Sequence, residues 1–127
     1  MANRQLFSIV ESTMHPDFSE LYASLGLTET RFTSLRKTIN NLKLKPDFIV
    51  AEFFYGYGNN YAGINLSNLD VMLHSLPKYS IDTRVIILVS KEERQFADKL
   101  AELFPLHAIL QLPVSETDMR KTLEREH

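Results

Sequence analysis

Val85-Ile-Ile-Leu-Val89 is an unbroken aliphatic run, all but one residue β-branched, with no polar position to turn toward water. Alternate side chains of a strand point to opposite faces, so this strand has to be covered on both. Sheets covered on both faces are built chiefly from parallel strands whose crossover connections carry helices. One segment thus already directs the chain toward an α/β architecture.

The remainder of the chain repeats the theme. Leu6 to Val10 is a short apolar run of strand length, Phe48 to Phe54 a longer one, and His107 to Leu112 a last one. Leu27 to Thr33 carries the β-branched and aromatic residues Thr28, Thr30, Phe32 and Thr33, suited to a second strand. Between these runs the spacing turns helical. Pro16 is placed in the first turn of a helix carrying Phe18, Leu21, Tyr22 and Leu25, with Gly26 as the stop. From Ser34, Leu35, Ile39 and Leu42 mark a helix ended by Pro46. Leu66, Leu69, Met72, Leu73 and Leu76 mark another, capped by Asn65 or Ser67 and stopped at Pro77. Ser90-Lys-Glu-Glu93 has the form of a capping box leading into Phe96, Ala97, Leu100, Ala101 and Phe104, and Ser115-Glu-Thr-Asp118 caps a terminal helix holding Met119 and Leu123. Five strands, each followed by a helix, predict a doubly wound parallel sheet. At 127 residues with 44% hydrophobic content, the natural organisation is one domain spanning 1–127.

Charge and cysteine usage narrow the function classes. Fourteen basic against sixteen acidic side chains leave a net charge of −2, which supplies no general field for a nucleic-acid backbone. With no cysteine there is no disulfide framework, thiolate metal site or cysteine nucleophile. The apolar cluster before Glu11 is too short for a signal-peptide core, and no run approaches the roughly 20 residues of a membrane span. The expectation is a soluble, unprocessed, cytoplasmic protein. Sheets of this class work at the carboxyl ends of their strands, near the switch in strand order. The residues expected there are Glu11 and Ser12, Glu52, Ser90, and Leu112-Pro113.

At these positions Lys45-Pro-Asp-Phe-Ile-Val-Ala-Glu52 resembles the third strand of two-component receiver domains, in which a Lys-Pro-Asp start leads to the aspartate that accepts a phosphoryl group; Glu52 falls on that aspartate. Val85-Ile-Ile-Leu-Val-Ser90 resembles the receiver strand that ends in a hydroxyl residue, and Ile109-Leu-Gln-Leu-Pro113 the one that ends in a Lys-Pro pair. The resemblance covers nearly the whole chain in element order and implies the flavodoxin-like, three-layer (βα)5 fold of CheY-like receivers. It also implies a cis bond before Pro113.

The departures from that pattern matter more. A receiver places two acids after its first strand to hold Mg²⁺; here there are Glu11 and Ser12. Mg²⁺ wants near-octahedral oxygen ligands, so an acid lost there and an acid lengthened at Glu52 leave Glu11 and Glu52 as weak ligand candidates and no metal is expected. The added methylene of Glu52 is expected to carry its carboxylate outward by about 1 Å, enough to cost roughly a hundredfold in an in-line transfer. The family's lysine corresponds to Leu112, which offers neither charge nor hydrogen bond, and its aromatic switch position corresponds to Ile109. The resemblance is therefore to a pseudo-receiver, with Glu52 either a permanent imitation of the phosphorylated aspartate or a solvated carboxylate at a strand end.

Other groups are read against ordinary explanations. Helix capping accounts for Ser90 without a sensing role. His15, His74 and His107 show no metal spacing and are assigned surface or half-buried roles. No Gly-x-Ser-x-Gly, Gly-x-Gly-x-x-Gly or Walker pattern is present, so hydrolase and nucleotide-binding chemistry lack their residues. Tyr55-Gly-Tyr-Gly-Asn-Asn-Tyr-Ala-Gly63 holds three of the four glycines and three of the five tyrosines and reads as a loop after Glu52. Tyr55, Tyr57 and Tyr61 serve there either as a partner surface or as packing over the open top of the sheet.

The expected function is that of a non-enzymatic signalling module, acting by protein–protein contact in or beside a phosphorelay and requiring no cofactor. Its partner would be a sensor kinase or an output protein, and the stretch Lys91 to Arg125 would supply a partner or homodimer face, as the resemblance implies; neither nucleic acid nor membrane is a partner. Two alternatives stand beside it. One is an atypical receiver still phosphorylated with Mg²⁺ on Glu11 and Glu52; the other is a small-ligand binder under the Tyr55–Tyr61 loop.

Overall fold

The computed structural model describes residues 4–56 and 67–125. In chain order these form β1 (Arg4–Ile9), α1 (Ser19–Ser24), β2 (Leu27–Phe32), α2 (Leu35–Asn40), β3 (Phe48–Glu52), α3 (Asp70–Tyr79), β4 (Arg84–Val89), α4 (Arg94–Leu103), β5 (Ala108–Gln111) and α5 (Glu116–Glu124), with a short 3-10 turn over Leu42–Leu44. The aliphatic runs become strands for the reason their composition gives: β3 and residues 85–89 of β4 are buried throughout.

All neighbouring strands pair in parallel, in the order β2-β1-β3-β4-β5. The chain starts near the centre at β1, steps out to β2, then crosses back to β3. The switch in direction therefore lies between β1 and β3, whose register sets Ile9 beside Ala51 and leaves the residues after Ile9 level with Glu52. Two cores fill the layers. Phe7, Ile9, Ile49, Ala51, Val85 and Ile87 meet α2, α3 and α4 on one face, while Leu6, Phe48, Val50, Ile86 and Leu88 meet α1 and α5 on the other. Ile109 packs against the first core and Leu112 against the second.

Several element boundaries differ from the sequence reading, for local reasons. Pro16 lies outside α1, because residues 12–15 form a turn of their own and the helix begins only at Ser19. Pro77 does not stop α3 but sits in its last turn, where Ser80 N still reaches Leu76 O at 2.7 Å. Ser90 does not cap by its side chain: the chain after it opens as a 3-10 turn over Lys91–Glu93, and Glu93 instead accepts the Tyr55 N–H at 3.2 Å. Ser115 does cap, its hydroxyl accepting from Asp118 N at 3.0 Å. Ser67 braces the start of α3, its N and Oγ donating to Asp70 Oδ1 and its Oγ accepting from Leu69 N. Asn65 lies outside the described residues. Lys45 ends the 3-10 turn in the left-handed region, φ 54°. The Leu112–Pro113 bond is cis.

Candidate functional site

The carboxyl ends of β1, β3, β4 and β5 bring Glu11, Ser12, Glu52, Ser90 and Leu112 to one edge of the sheet. Glu52 is its centre. It is not a solvated strand-end carboxylate; it is 2% exposed. Its Oε2 accepts the backbone N–H of Glu11 at 2.6 Å and of Ser12 at 3.1 Å, its Oε1 accepts the Ser12 hydroxyl, and His15 Nδ1 stands 3.2 Å from Oε2. The extra methylene thus does not carry the carboxylate outward. It gives the reach to fold back across the β1–β3 switch and to satisfy the free N–H groups of the turn after β1.

His15 is the residue the sequence reading missed. Its spacing marks only an ordinary surface or half-buried histidine, yet its side chain is 1% exposed and aimed at Glu52. The same turn holds it there: Ser12 Oγ accepts from Met14 N at 3.1 Å, and His15 N donates to Ser12 O at 3.4 Å. Asn68 is the second addition. Its Nδ2 donates to Glu52 O at 2.9 Å and to Glu11 Oε1 at 3.1 Å, and its Oδ1 accepts from Phe54 N at 2.8 Å. No spacing in the sequence marks either residue. The available signal was chemical: a buried carboxylate requires donors, and His15 and Asn68 are polar residues beside elements that end at this edge.

The electrostatics follow from these contacts. Burial pushes the Glu52 carboxyl up, but the hydrogen bonds from His15, Ser12 and the Glu11 N–H, with the attraction of His15, outweigh it and hold the group below the usual glutamate range. Glu52 is therefore a favoured acceptor for the donors around it, and His15 Nδ1 faces its Oε2 at 3.2 Å. Glu11 goes the other way: burial raises it against the Asn68 hydrogen bond, and the Glu52 charge raises it further.

Glu11 and Glu52 are both engaged by donors of the chain itself. The Glu52 oxygens face four donors, and Glu11 Oε1 is bonded to Asn68. Among the described residues no three His, Asp or Glu side chains are placed to share an ion.

Beside Glu52 a largely apolar cavity of about 440 Å³ opens, lined by Ser12, Phe54, Ser90, Lys91, Leu112 and Pro113 among others. Lys91, exposed at the start of the 3-10 turn, is the cation on this rim; Leu112 contributes hydrocarbon. Tyr55 does not pack down over Glu52. Its ring stacks on Phe96 of α4, centroids 3.7 Å apart and planes 18° from parallel, and remains exposed. Tyr57 and Tyr61 lie outside the described residues. His74 sits edge-on to Phe104, and His107 Nε2 is 2.8 Å from Thr122 O, so neither joins the site.

No family model and no curated protein matches the chain. Solved structures do. The signal receiver domain of a LuxO repressor protein from Vibrio parahaemolyticus is similar over 96% of this chain and 88% of its own, at 17% identity and a TM-score of 0.70. A response regulator receiver domain protein from Clostridium thermocellum is similar over 94% of this chain and 90% of its own, at 16% identity and a TM-score of 0.66. A CheY-like response regulator receiver domain protein from Methanospirillum hungatei is similar over 97% of this chain and 92% of its own, at 8% identity and a TM-score of 0.67. With the strand order, these likenesses place the chain in the receiver fold, a flavodoxin-like parallel α/β sandwich.

Proposed function

We propose that the protein is a pseudo-receiver, a non-catalytic regulatory module that works by protein–protein contact in or beside a two-component phosphorelay. The observation that carries this reading is the state of Glu52: at the position of the phosphoryl acceptor, the carboxylate is buried and bonded to Glu11 N, Ser12 N, Ser12 Oγ and His15. An acceptor oxygen has to approach phosphorus in line with a free lone pair, and the transferred charge has to be met by cations. Here Oε2 is engaged by Glu11 N, Ser12 N and His15, Oε1 accepts the Ser12 hydroxyl, and position 112 is a leucine. Glu52 then acts as a fixed internal tie between β3 and the turn after β1, holding the top of the sheet in one arrangement without phosphorylation or Mg²⁺. A kinase or output protein would read that surface or the face formed by Lys91–Arg125, through which the protein would also pair with itself.

Incubation with acetyl phosphate and Mg²⁺ followed by intact mass spectrometry tests the reading. The mass is expected to stay unchanged. An added phosphoryl group that disappears in Glu52→Ala would show a working receiver instead.

The cavity beside Glu52 favours a second reading, in which Phe54, Leu112 and Pro113 hold an apolar small molecule with Ser90 and Lys91 at its polar end. A thermal-shift screen of amphipathic carboxylates, repeated on Leu112→Glu, tests it: stabilisation lost in the variant supports a ligand there.

A further inference from the structure

Residues 33–46 hold no acid and four cations, Arg36, Lys37, Lys43 and Lys45, in a chain whose net charge is −2. The fold collects this charge on one face. α2, the 3-10 turn after it and α3 pack against one another on the same side of the sheet, and the last turn of α3 adds Lys78. Lys45 and Lys78 line a shared groove of about 380 Å³. All five cations are exposed. Among the described residues, none of these five takes part in an ion pair.

Like charges set on one face repel one another, and no carboxylate among the described residues neutralises them; Lys78 Nζ stands 5.2 Å from the Tyr79 ring centroid, and the field of the group is available to an outside anion. Apolar groups lie among them: Leu44 is 53% exposed, Tyr79 42% and Ile81 74%. We propose that this α2–α3 face docks an acidic peptide segment of a protein partner, its carboxylates paired with Lys43, Lys45 and Lys78 and an interspersed apolar side chain resting on Tyr79 and Ile81. The mixture selects the partner class. Asp47 and Asp82 line the same groove, so an evenly charged phosphate backbone or lipid headgroup layer meets repulsion there, whereas a peptide can set an apolar residue opposite them. At Ile81 the face borders Leu103, Phe104 and Pro105 of the Lys91–Arg125 stretch, and the inference stands whether or not Glu52 is phosphorylated.

A short labelled peptide of glutamates interrupted by leucine is the probe, followed by fluorescence anisotropy and by amide chemical-shift changes on the full chain. The expected result is binding that weakens with salt, perturbs residues of α2, the 3-10 turn and the end of α3, and loses about tenfold in affinity in Lys43→Glu/Lys78→Glu. Lys45→Gly guards against a folding artefact: it relieves the left-handed conformation at φ 54°, so it should weaken binding while keeping or raising the melting temperature. Shift changes confined to another face, or affinity unaffected by these variants, overturn the inference. Tighter binding of a single-stranded oligonucleotide or of phosphatidylserine vesicles through the same lysines also overturns it, by assigning the face to a different partner class. So does concentration-dependent self-association abolished by the same charge reversal, which would make a second copy the occupant.

Discussion

His15 Nδ1 lies 3.2 Å from Glu52 Oε2 across 37 residues of sequence, with side chains 1% and 2% exposed. At the edge where a receiver handles a phosphoryl group, this chain has closed a hydrogen-bonded contact of its own. Removing one member leaves a buried polar group without its partner, which costs more than the pair contributes net.

The two residues should therefore be energetically coupled. Glu52→Ala strands the N–H groups of Glu11 and Ser12 as well as His15 and is expected to cost about 2–4 kcal/mol in urea unfolding. His15→Ala should cost less, and the double variant should fall short of the sum by about 1–2 kcal/mol. Additivity would show that the contact is not made in solution.

The same pair sets an acid limit. The Glu52 carboxyl sits lower in the folded protein than its ordinary value of 4.5. Its contribution is thus present above pH 4.5 and lost as pH falls through the depressed folded value. Glu11, raised in the fold, acts with the opposite sign and favours the folded state on protonation. Glu52→Gln should consequently be the less stable protein at neutral pH, with the gap to the parent closing below about pH 4.5. Parallel stability–pH curves for the two proteins would refute this.

Asn68 fastens Glu11 and the end of β3 through both ends of its amide. Asn68→Ala is expected to cost about 1–3 kcal/mol, since the Phe54 N–H loses its acceptor. Asn68→Asp keeps that acceptor but sets a carboxylate against Glu11, so its deficit should be largest at neutral pH and shrink on acidification. Chemical denaturation across pH checks both.

Tyr22 of α1 is 1% exposed, and its hydroxyl has no hydrogen-bond partner among the described residues. Burial, then the nearby Glu29 charge, push its phenol far above the ordinary tyrosine range. Tyr22→Phe removes an unsatisfied polar atom and keeps the ring that meets Phe18 edge-on, so it should leave stability unchanged or raise it by up to about 1 kcal/mol. A loss of more than that would reveal a partner for the hydroxyl.

Much of this architecture is written locally. Val85 to Val89 cannot be a half-wet strand, the spacing of Leu35 and Ile39 turns one face of α2 inward, and Ser115 can cap the chain that follows it without help from elsewhere. These signals are periodic or confined to a few residues, which is why composition and spacing suffice for them. Ser90 shows the limit: Glu93 N goes to Ser90 O in the 3-10 turn, and the Glu93 carboxylate accepts from Tyr55 N, 38 residues away. The site is of that second kind throughout. Sequence alone put Glu52 at the end of a buried strand and a leucine at position 112. Only the packing of β1 against β3 decided that the glutamate would bend back onto Glu11, Ser12 and His15, because a hydrogen bond between residues distant in the chain leaves no periodic trace in either segment.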